Sequence, residues 1–397
     1  MSSKNDRRSQ SLPFWNVSEY RAYFYQFLVV AVLVFIAWYL ISNTLANLEN
    51  QHIATGFGFL DEESAFEIGE TLIPFSAMDT YALALLAGFL NTLKVGVTGI
   101  VLTIFLGTFM GIARLSKNGL IAGLAALYIE LFRNVPVLLQ LIFWYALFHN
   151  LPGPRQALHP VSGVVVCNRG LMLPFPHLGS GELWVLGFSP LILTLWWWLV
   201  RKNRHHRECL GRYAVPPIFI HLLPVIILAG VDFFTGASWD MGLPVLKGFN
   251  FHGGITLTPE FAALLLGLVI YTGTFVAEIV RSGILAVDNG QVEAAKSIGL
   301  SGHRILFLVV LPQALRVIIP PLTSQMLNLV KNSTLAVAVG YPDLVSVANT
   351  TLNQTGQSIE AITIILVVYL VFSLLTSAFM NWFNKRSMLP VSKAQPA

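Results

Sequence analysis

Apolar positions in this chain fall in long unbroken runs, separated by short polar or charged segments. A helix needs roughly 20 apolar residues to cross a bilayer. Such runs lie at about 24–45, 84–112, 120–148, 183–200, 215–234, 259–280, 313–332 and 360–383, and they predict eight transmembrane helices. Pro320-Pro321 interrupts the seventh, which membrane helices tolerate when neighbours satisfy the freed backbone groups. Between the runs, 46–80 reads as an acidic segment lying on the membrane surface with no chemistry of its own. Residues 149–182 read as a Pro/Gly-rich outer loop and 341–358 as a polar outer loop. The fourth and fifth runs form an inserted hairpin.

Composition agrees with the pattern. The 397 residues are 55% hydrophobic and 11% charged, against about 25% charged in soluble domains. An even number of spans puts both termini on one side, and the basic residues choose the side. Lys4, Arg7, Arg8 and Arg21 precede the first span, and Arg114 and Lys117 follow the second. Arg201, Lys202, Arg204, Arg207 and Arg212 fill the turn after the fourth, and Lys385, Arg386 and Lys393 close the chain. Asp61, Glu62, Glu63, Glu67, Glu70 and Asp79 crowd the opposite face. Positive residues stay inside, so both termini are expected in the cytoplasm. The net charge of +4 is then a topology signal that calls for no nucleic-acid partner. Cys167 and Cys209 fall on opposite sides in this arrangement and are not expected to pair.

Polar residues inside spans are expensive and mark pairs or pathways. Lys94 lies near the outer end of the second span, where it can snorkel to the surface. Gly107 and Gly111 in the same span form a GxxxG, either a close helix contact or simply a glycine-rich helix. Glu130 and Arg133 share a face of the third span, read as one continuous helix. They form either an internal ion pair or an arginine free to grip a carboxylate in a bidentate manner. Lys331, followed by Asn332, Ser333 and Thr334, is a second cation at similar inferred depth. Two cations at one depth repel unless an anion stands between them, and Glu130 or a substrate can be that anion. Glu278 and Arg281, three apart, anchor the start of the following loop; His221 is expected to bond a neighbouring helix. His205 and His206 have no further metal ligands near them and belong to a solvated basic turn.

The loop 292–316, VEAAKSIGLSGHRILFLVVLPQALR, is charged and lies between two spans. It reads as two short helices. Gly299 ends the first, Ser301 caps the second, and the second stops near Pro312. Ala294 and Ala295 leave a bare helical face for another protein.

Glu293-Ala294-Ala295, then Gly299, then Leu311-Pro312, resembles the EAA loop of ABC-importer permeases. NTLKVG, YIELFRNVPVLLQL, AEIVRSGI, LPQALR and KNSTLA follow the order found in polar-amino-acid permeases of type I ABC importers. The resemblance covers about 85–385 apart from 150–255, and is closest to general L-amino-acid permeases of Gram-negative bacteria. It implies an all-α inner-membrane permease core with a cytoplasmic coupling loop, preceded by a tail (1–23) and an anchor with its acidic periplasmic segment (24–84), and followed by a tail (386–397).

The resemblance also implies partners: a homologous second permease subunit, a cytoplasmic ABC ATPase dimer and a periplasmic amino-acid-binding protein. The permease itself would also contact membrane lipid and the amino acid it carries. Glu293, Ala294, Ala295, Gly299, Leu311 and Pro312 would contact the ATPase. Arg133, Glu130, Lys331, Asn332, Ser333 and Thr334 would line the amino-acid site. Asn332 stands where relatives selective for basic amino acids can carry Asp, which argues against a strict Arg/Lys transporter. No P-loop occurs, so ATP hydrolysis falls to a partner chain; no enzyme site, cofactor or metal is expected. A secondary transporter driven by an ion gradient would predict inverted repeats, which the sequence does not carry. A scaffold or membrane enzyme leaves the EAA spacing without a purpose.

Overall fold

The computed structural model describes residues 18–50, 55–176, 179–210, 213, 215–236 and 241–387. Lys4, Arg7, Arg8, Arg212 and Lys393, and with them most of the two expected tails, lie outside the described residues.

The helices are α1 (Ser18–Asn50), α2 (Tyr81–Arg114), α3 (Gly119–Arg133), α4 (Val137–His149), α5 (Ser180–Leu210) and α6 (Pro217–Thr235). They continue with α7 (Pro259–Leu285), α8 (Asn289–Ser297), α9 (Gly302–Ile305), α10 (Leu311–Asn332), α11 (Leu344–Thr355) and α12 (Ser358–Ser387). Among the described residues, seven stretches are long and apolar enough to cross a membrane, and α3 with α4 makes an eighth if the bent pair is one span. The hydrophobic pattern thus finds the spans but not the bend. The third span is two helices meeting at 102°.

α7 is the axis of the bundle. Its apolar window is 67% buried, whereas that of α1 is 0% buried; α12, also 0% by that measure, lays Ile364, Ile365, Val368 and Tyr369 against the core. Lipid is as apolar as a leucine side chain, so helices in it associate through close packing of small residues. That is how α2 and α7 meet. A Cβ on Gly107 would stand 2.5 Å from Val276, and one on Gly111 would stand 2.6 Å from the Ala277 carbonyl. The GxxxG is therefore a contact within this chain. Gly107 and Gly111 meet Val276 and Ala277 in the same order, so α2 and α7 run parallel; Gly99 lies against Leu329 and Gly283 against Ile318, so α10 returns antiparallel alongside them. Val95, Leu141, Phe261, Leu264, Leu268, Ala336 and Tyr341 form the main core cluster.

The segment between α1 and α2 folds onto the end of the bundle away from α8. Phe59 is buried, and Phe66, Ile68 and Phe75 pack against Ala84, Leu85, Leu344 and Val347. The expected outer loop at 341–358 contains α11, with the Asp343 side chain accepting from the Ser346 amide at its start.

The insertion carries strands that the sequence reading leaves as loop. β1 (Leu158–Val161), β2 (Val164–Cys167), β3 (Gly170–Leu173) and β4 (Phe175–Pro176) precede α5. β5 (Met241–Gly242), β6 (Val245–Lys247), β7 (Asn250–His252) and β8 (Ile255–Leu257) follow α6. β1-β2-β3-β8 form one sheet, and β4-β5 and β6-β7 pair separately. Strands from both ends of the insertion therefore close on each other. Cys167 is buried in β2 as a free thiol.

Candidate functional site

Two helix breaks organise the polar residues inside the bundle. At the first, α3 stops at Arg133 because Pro136 cannot donate a backbone hydrogen bond and forces extended backbone before it. The carbonyls left open at the end of α3 are taken by side chains. Asn134 Nδ2 donates to the Glu130 carbonyl at 2.7 Å, and Gln140 Nε2 donates to those of Phe132 and Val135 at 2.8 and 3.0 Å. Gln140 is buried and fixes the bend. Glu130 and Arg133 are both exposed. They form no ion pair with each other, and Arg133 makes no hydrogen bond to any described residue. The internal ion pair, one of the two readings, is not formed.

At the second break, α10 gives way to a 3-10 turn, Ser333–Val339, that ends at Gly340 in the left-handed region (φ 74°). Lys331 is exposed in the last turn of α10, without a counter-ion among the described residues. Asn332 and Thr334 are half-buried, and the Thr334 hydroxyl donates to the Lys331 carbonyl at 2.8 Å. Ser333 is buried, with its hydroxyl donating to the Val330 carbonyl at 2.7 Å. The two breaks share a packing cluster: Val137 and Leu141 of α4 lie with Leu335 and Ala336 of the 3-10 turn. Irregular backbone at membrane depth is tolerated where it is buried or lines a watery cavity. Both cations sit at such points.

A polar knot that the sequence reading missed lies at the end away from α8. Lys94 does not snorkel. It pairs with Glu70 and stands 4.2 Å from the centre of the Phe261 ring. The other Glu70 oxygen accepts from the Thr258 hydroxyl at 2.5 Å, so the acidic segment is tied to α2 and α7. Asn91, buried in α2, donates to the carbonyls of Glu70 and Pro342, and the Thr92 hydroxyl accepts from the Leu344 amide at 3.1 Å. Glu67, Glu70, Thr258, Glu260 and Ser346 line a cavity of about 400 Å³ beside this knot. Asp343 is 1% exposed. Burial pushes its carboxyl up to about 7, against the opposing effect of the Ser346 and Val345 amides and of the Tyr369 hydroxyl beside it. Burial, and then the charges of Glu70 and Asp343, raise the Tyr341 phenol as well. The sequence signals for the knot are Lys94, which reads as a snorkelling residue, and the run of acidic residues, which serves equally well as a topology marker.

The EAA loop is built by local backbone chemistry. The Asp288 side chain accepts from the Gly290 amide at 2.8 Å and opens α8. Gly299 closes it at φ 82°. The Gly299 amide reaches the Lys296 carbonyl at 2.9 Å and the Leu300 amide reaches that of Ala295 at 3.2 Å, the paired bonds of a Schellman ending. Glu293, Ala294 and Ile298 are exposed, Ile298 by 77%, while Ala295 is buried against its own chain. The bare face is thus Ala294 with Ile298, and Ala295 serves packing. Ser301 stands at the start of α9 without a side-chain cap. The second short helix does not stop near Pro312. Leu306–Val310 form a π turn in which the Leu311 amide reaches back to the Leu306 carbonyl, and α10 runs straight on. That wider turn absorbs the proline that would otherwise end the helix. Leu311 and Pro312 are half-buried there. Arg281 Nε donates to Glu278 at 2.8 Å just before the loop. Among the described residues, no group of three His, Cys, Asp or Glu is placed to hold a metal ion.

Comparison with known proteins places these features in a family. The family of binding-protein-dependent transport system inner membrane components matches residues 210–388. The putative amino-acid ABC transporter permease protein YhdX of Escherichia coli (strain K12) is 46% identical, over 97% of this chain and 98% of its own. The general L-amino acid transport system permease protein AapQ of Rhizobium johnstonii is 45% identical over 94% and 93%. Among solved structures, the crystal structure of an amino acid ABC transporter with histidines aligns with a TM-score of 0.45 and 22% identity, over 77% of this chain and 95% of that one.

Proposed function

The chain belongs to the family of binding-protein-dependent transport system inner membrane components, and from that premise we propose how its residues divide the work of amino-acid import. It is a multi-pass inner-membrane permease subunit of an amino-acid ABC importer, and ATP is hydrolysed by a separate chain. Family membership implies an ATPase and a binding protein as partners.

In the proposed arrangement both termini and the EAA loop face the cytoplasm. A homologous permease subunit completes the pathway, a pair of ATPase chains docks on the loops, and an amino-acid-binding protein delivers substrate from the periplasm. Glu293, Ala294 and Ile298 form the face that enters the ATPase, with Gly299 setting its end and Leu311 and Pro312 passing its movement into α10. Closure of the ATPases supplies the differential free energy between inward- and outward-facing states, since a ligand shifts only an equilibrium whose states it binds unequally.

The amino-acid site lies at the two helix breaks. Arg133 takes the substrate carboxylate through paired hydrogen bonds. Lys331, with Asn332 and Thr334 beside it, supplies the second positive charge. Glu130 faces the ammonium group, and buried Ser333 holds the turn in shape. The observation that carries this reading is that both cations are exposed and without a counter-ion among the described residues, each at a break, in elements that share one packing cluster. An anion between them relieves their repulsion. Asn332 leaves the site open to neutral and acidic amino acids.

The test is uptake of labelled amino acids by cells expressing the whole transporter. Arg133→Ala should assemble with its ATPase and lose uptake, while Glu293→Lys should lose the ATPase during purification. Normal transport by Arg133→Ala would move the substrate site to the partner subunit. Intact assembly and uptake with Glu293→Lys would remove that residue from the coupling face.

A further inference from the structure

α5 and α6 stand apart from the import machinery. They pack on each other, and their membrane windows are 11% and 6% buried, so nearly all their surface faces outward. Their joint near the basic turn is nevertheless closely bonded. Asn203 is 6% exposed, and both ends of its amide bond the Val215 backbone, at 2.8 and 3.1 Å. A cavity opens on each side of it. One, of about 110 Å³, is lined by Arg204, Tyr213 and His221 with apolar neighbours; the other, of about 210 Å³, by Lys202 and His206.

The polar groups around the first cavity are left as donors. Arg207 Nη1 donates to the Tyr213 oxygen at 2.7 Å, so the phenol keeps its own O–H to give. Trp196 Nε1 donates to His221 Nδ1 at 3.3 Å, so a neutral His221 carries its proton on Nε2 and is a donor too. Arg204 is exposed and makes no ion pair or hydrogen bond with any described residue. Among the described residues, no carboxylate lines either cavity. Over 201–212 the sequence offers Glu208 alone against five Lys and Arg.

Two further contacts fix the depth. Arg201 lies over Trp197 at 5.3 Å and Lys202 over Trp198 at 4.9 Å. Indole rings with cations one turn beyond them mark the level of lipid headgroups. An anion that fits here therefore arrives with an apolar tail, and the exposed Leu195, Ile218, Phe219 and Leu222 give that tail a surface. We propose that the joint of the inserted hairpin is a binding site for the phosphodiester headgroup of an anionic phospholipid, held by Arg204, Tyr213 and His221 on one side of Asn203 and by Lys202 on the other. Basic pockets between membrane helices are suited to such headgroups.

The test uses the complete transporter purified in mild detergent, titrated with phosphatidylglycerol, phosphatidylcholine or inorganic phosphate while its melting temperature is followed. Phosphatidylglycerol should stabilise the wild type, and the other two should not. Arg204→Gln should shift the half-saturating lipid concentration by about tenfold, the loss of one charge-assisted hydrogen bond. Tyr213→Phe, which keeps the ring and is the safer variant for folding, should shift it in the same direction. Arg155→Gln, in the outer part of the insertion, should leave it unchanged. Equal stabilisation by phosphatidylcholine would overturn the site, and so would a wild-type midpoint in both variants. Stabilisation by inorganic phosphate equal to that by lipid would assign the cavity to a free anion and overturn the lipid reading.

Discussion

Asp343 gives the sharpest quantitative prediction. Its side chain accepts from the Ser346 amide at 2.8 Å and caps α11, while its other oxygen is buried without a well-formed hydrogen bond, beside Tyr369. Burial raises its pKa from 3.8 to about 7. The native state therefore holds the proton more tightly than the unfolded chain. Stability from this group is complete below the ordinary carboxyl pKa and is lost as the pH climbs toward 7. Across that interval of about three pH units, at 1.36 kcal/mol for each, the loss by pH 8 approaches about 4 kcal/mol. The substitution Asp343→Asn keeps an acceptor at the cap, where asparagine serves as well as aspartate, and removes the charge. It should match the wild type near pH 4 and exceed its stability at pH 8. Hydrogen exchange at the amides of 344–351 in the purified transporter, corrected for intrinsic rates, reads this locally. Asp343→Ala separates the cap from the charge: it should cost about 1 kcal/mol at acid pH. Faster exchange in Asp343→Asn than in wild type at pH 8 would refute the argument, because the ionised carboxylate would then be stabilising the fold.

Two other expectations follow from packing and pairing. Gly107→Ala puts a methyl group 2.5 Å from Val276 and should cost about 1–3 kcal/mol in thermal unfolding, with part of the loss recovered in the double variant with Val276→Gly. Lys94→Met strands the partly buried Glu70 carboxylate; it should destabilise by on the order of 2 kcal/mol and be less stable than Lys94→Met with Glu70→Gln, in which no charge remains unpaired.

Much of this architecture was readable because membrane helices advertise themselves by length and apolar content, and the EAA loop by its spacing. Gly299 was legible for a local reason, since a left-handed helix ending leaves few other choices. Features that depend on distant partners were not. Pro136 and Pro312 both follow helical sequence; one ends a helix and the other rides through a π turn, and the difference lies in what satisfies the neighbouring carbonyls. Gln140, in an apolar run, gave no hint that it would fix a bend. Ala294 and Ala295 are identical letters, and only the packing of α8 tells which one is buried. Glu70 reads as one acid among many until Lys94 and Thr258 close around it, 24 and 188 residues away.

The ladder that joins β3 to β8 has a mechanical consequence. Leu173 and Ile255 are cross-strand partners, so the two ends of the inserted hairpin, at 173 and 255, are drawn together into one narrow neck. β8 ends at Leu257 and α7 begins at Pro259, which couples that neck almost without slack to the most enclosed helix in the molecule. The hairpin is an outrigger fixed to the keel. A displacement of that hairpin would have no flexible linker in which to dissipate before it met the first turn of α7.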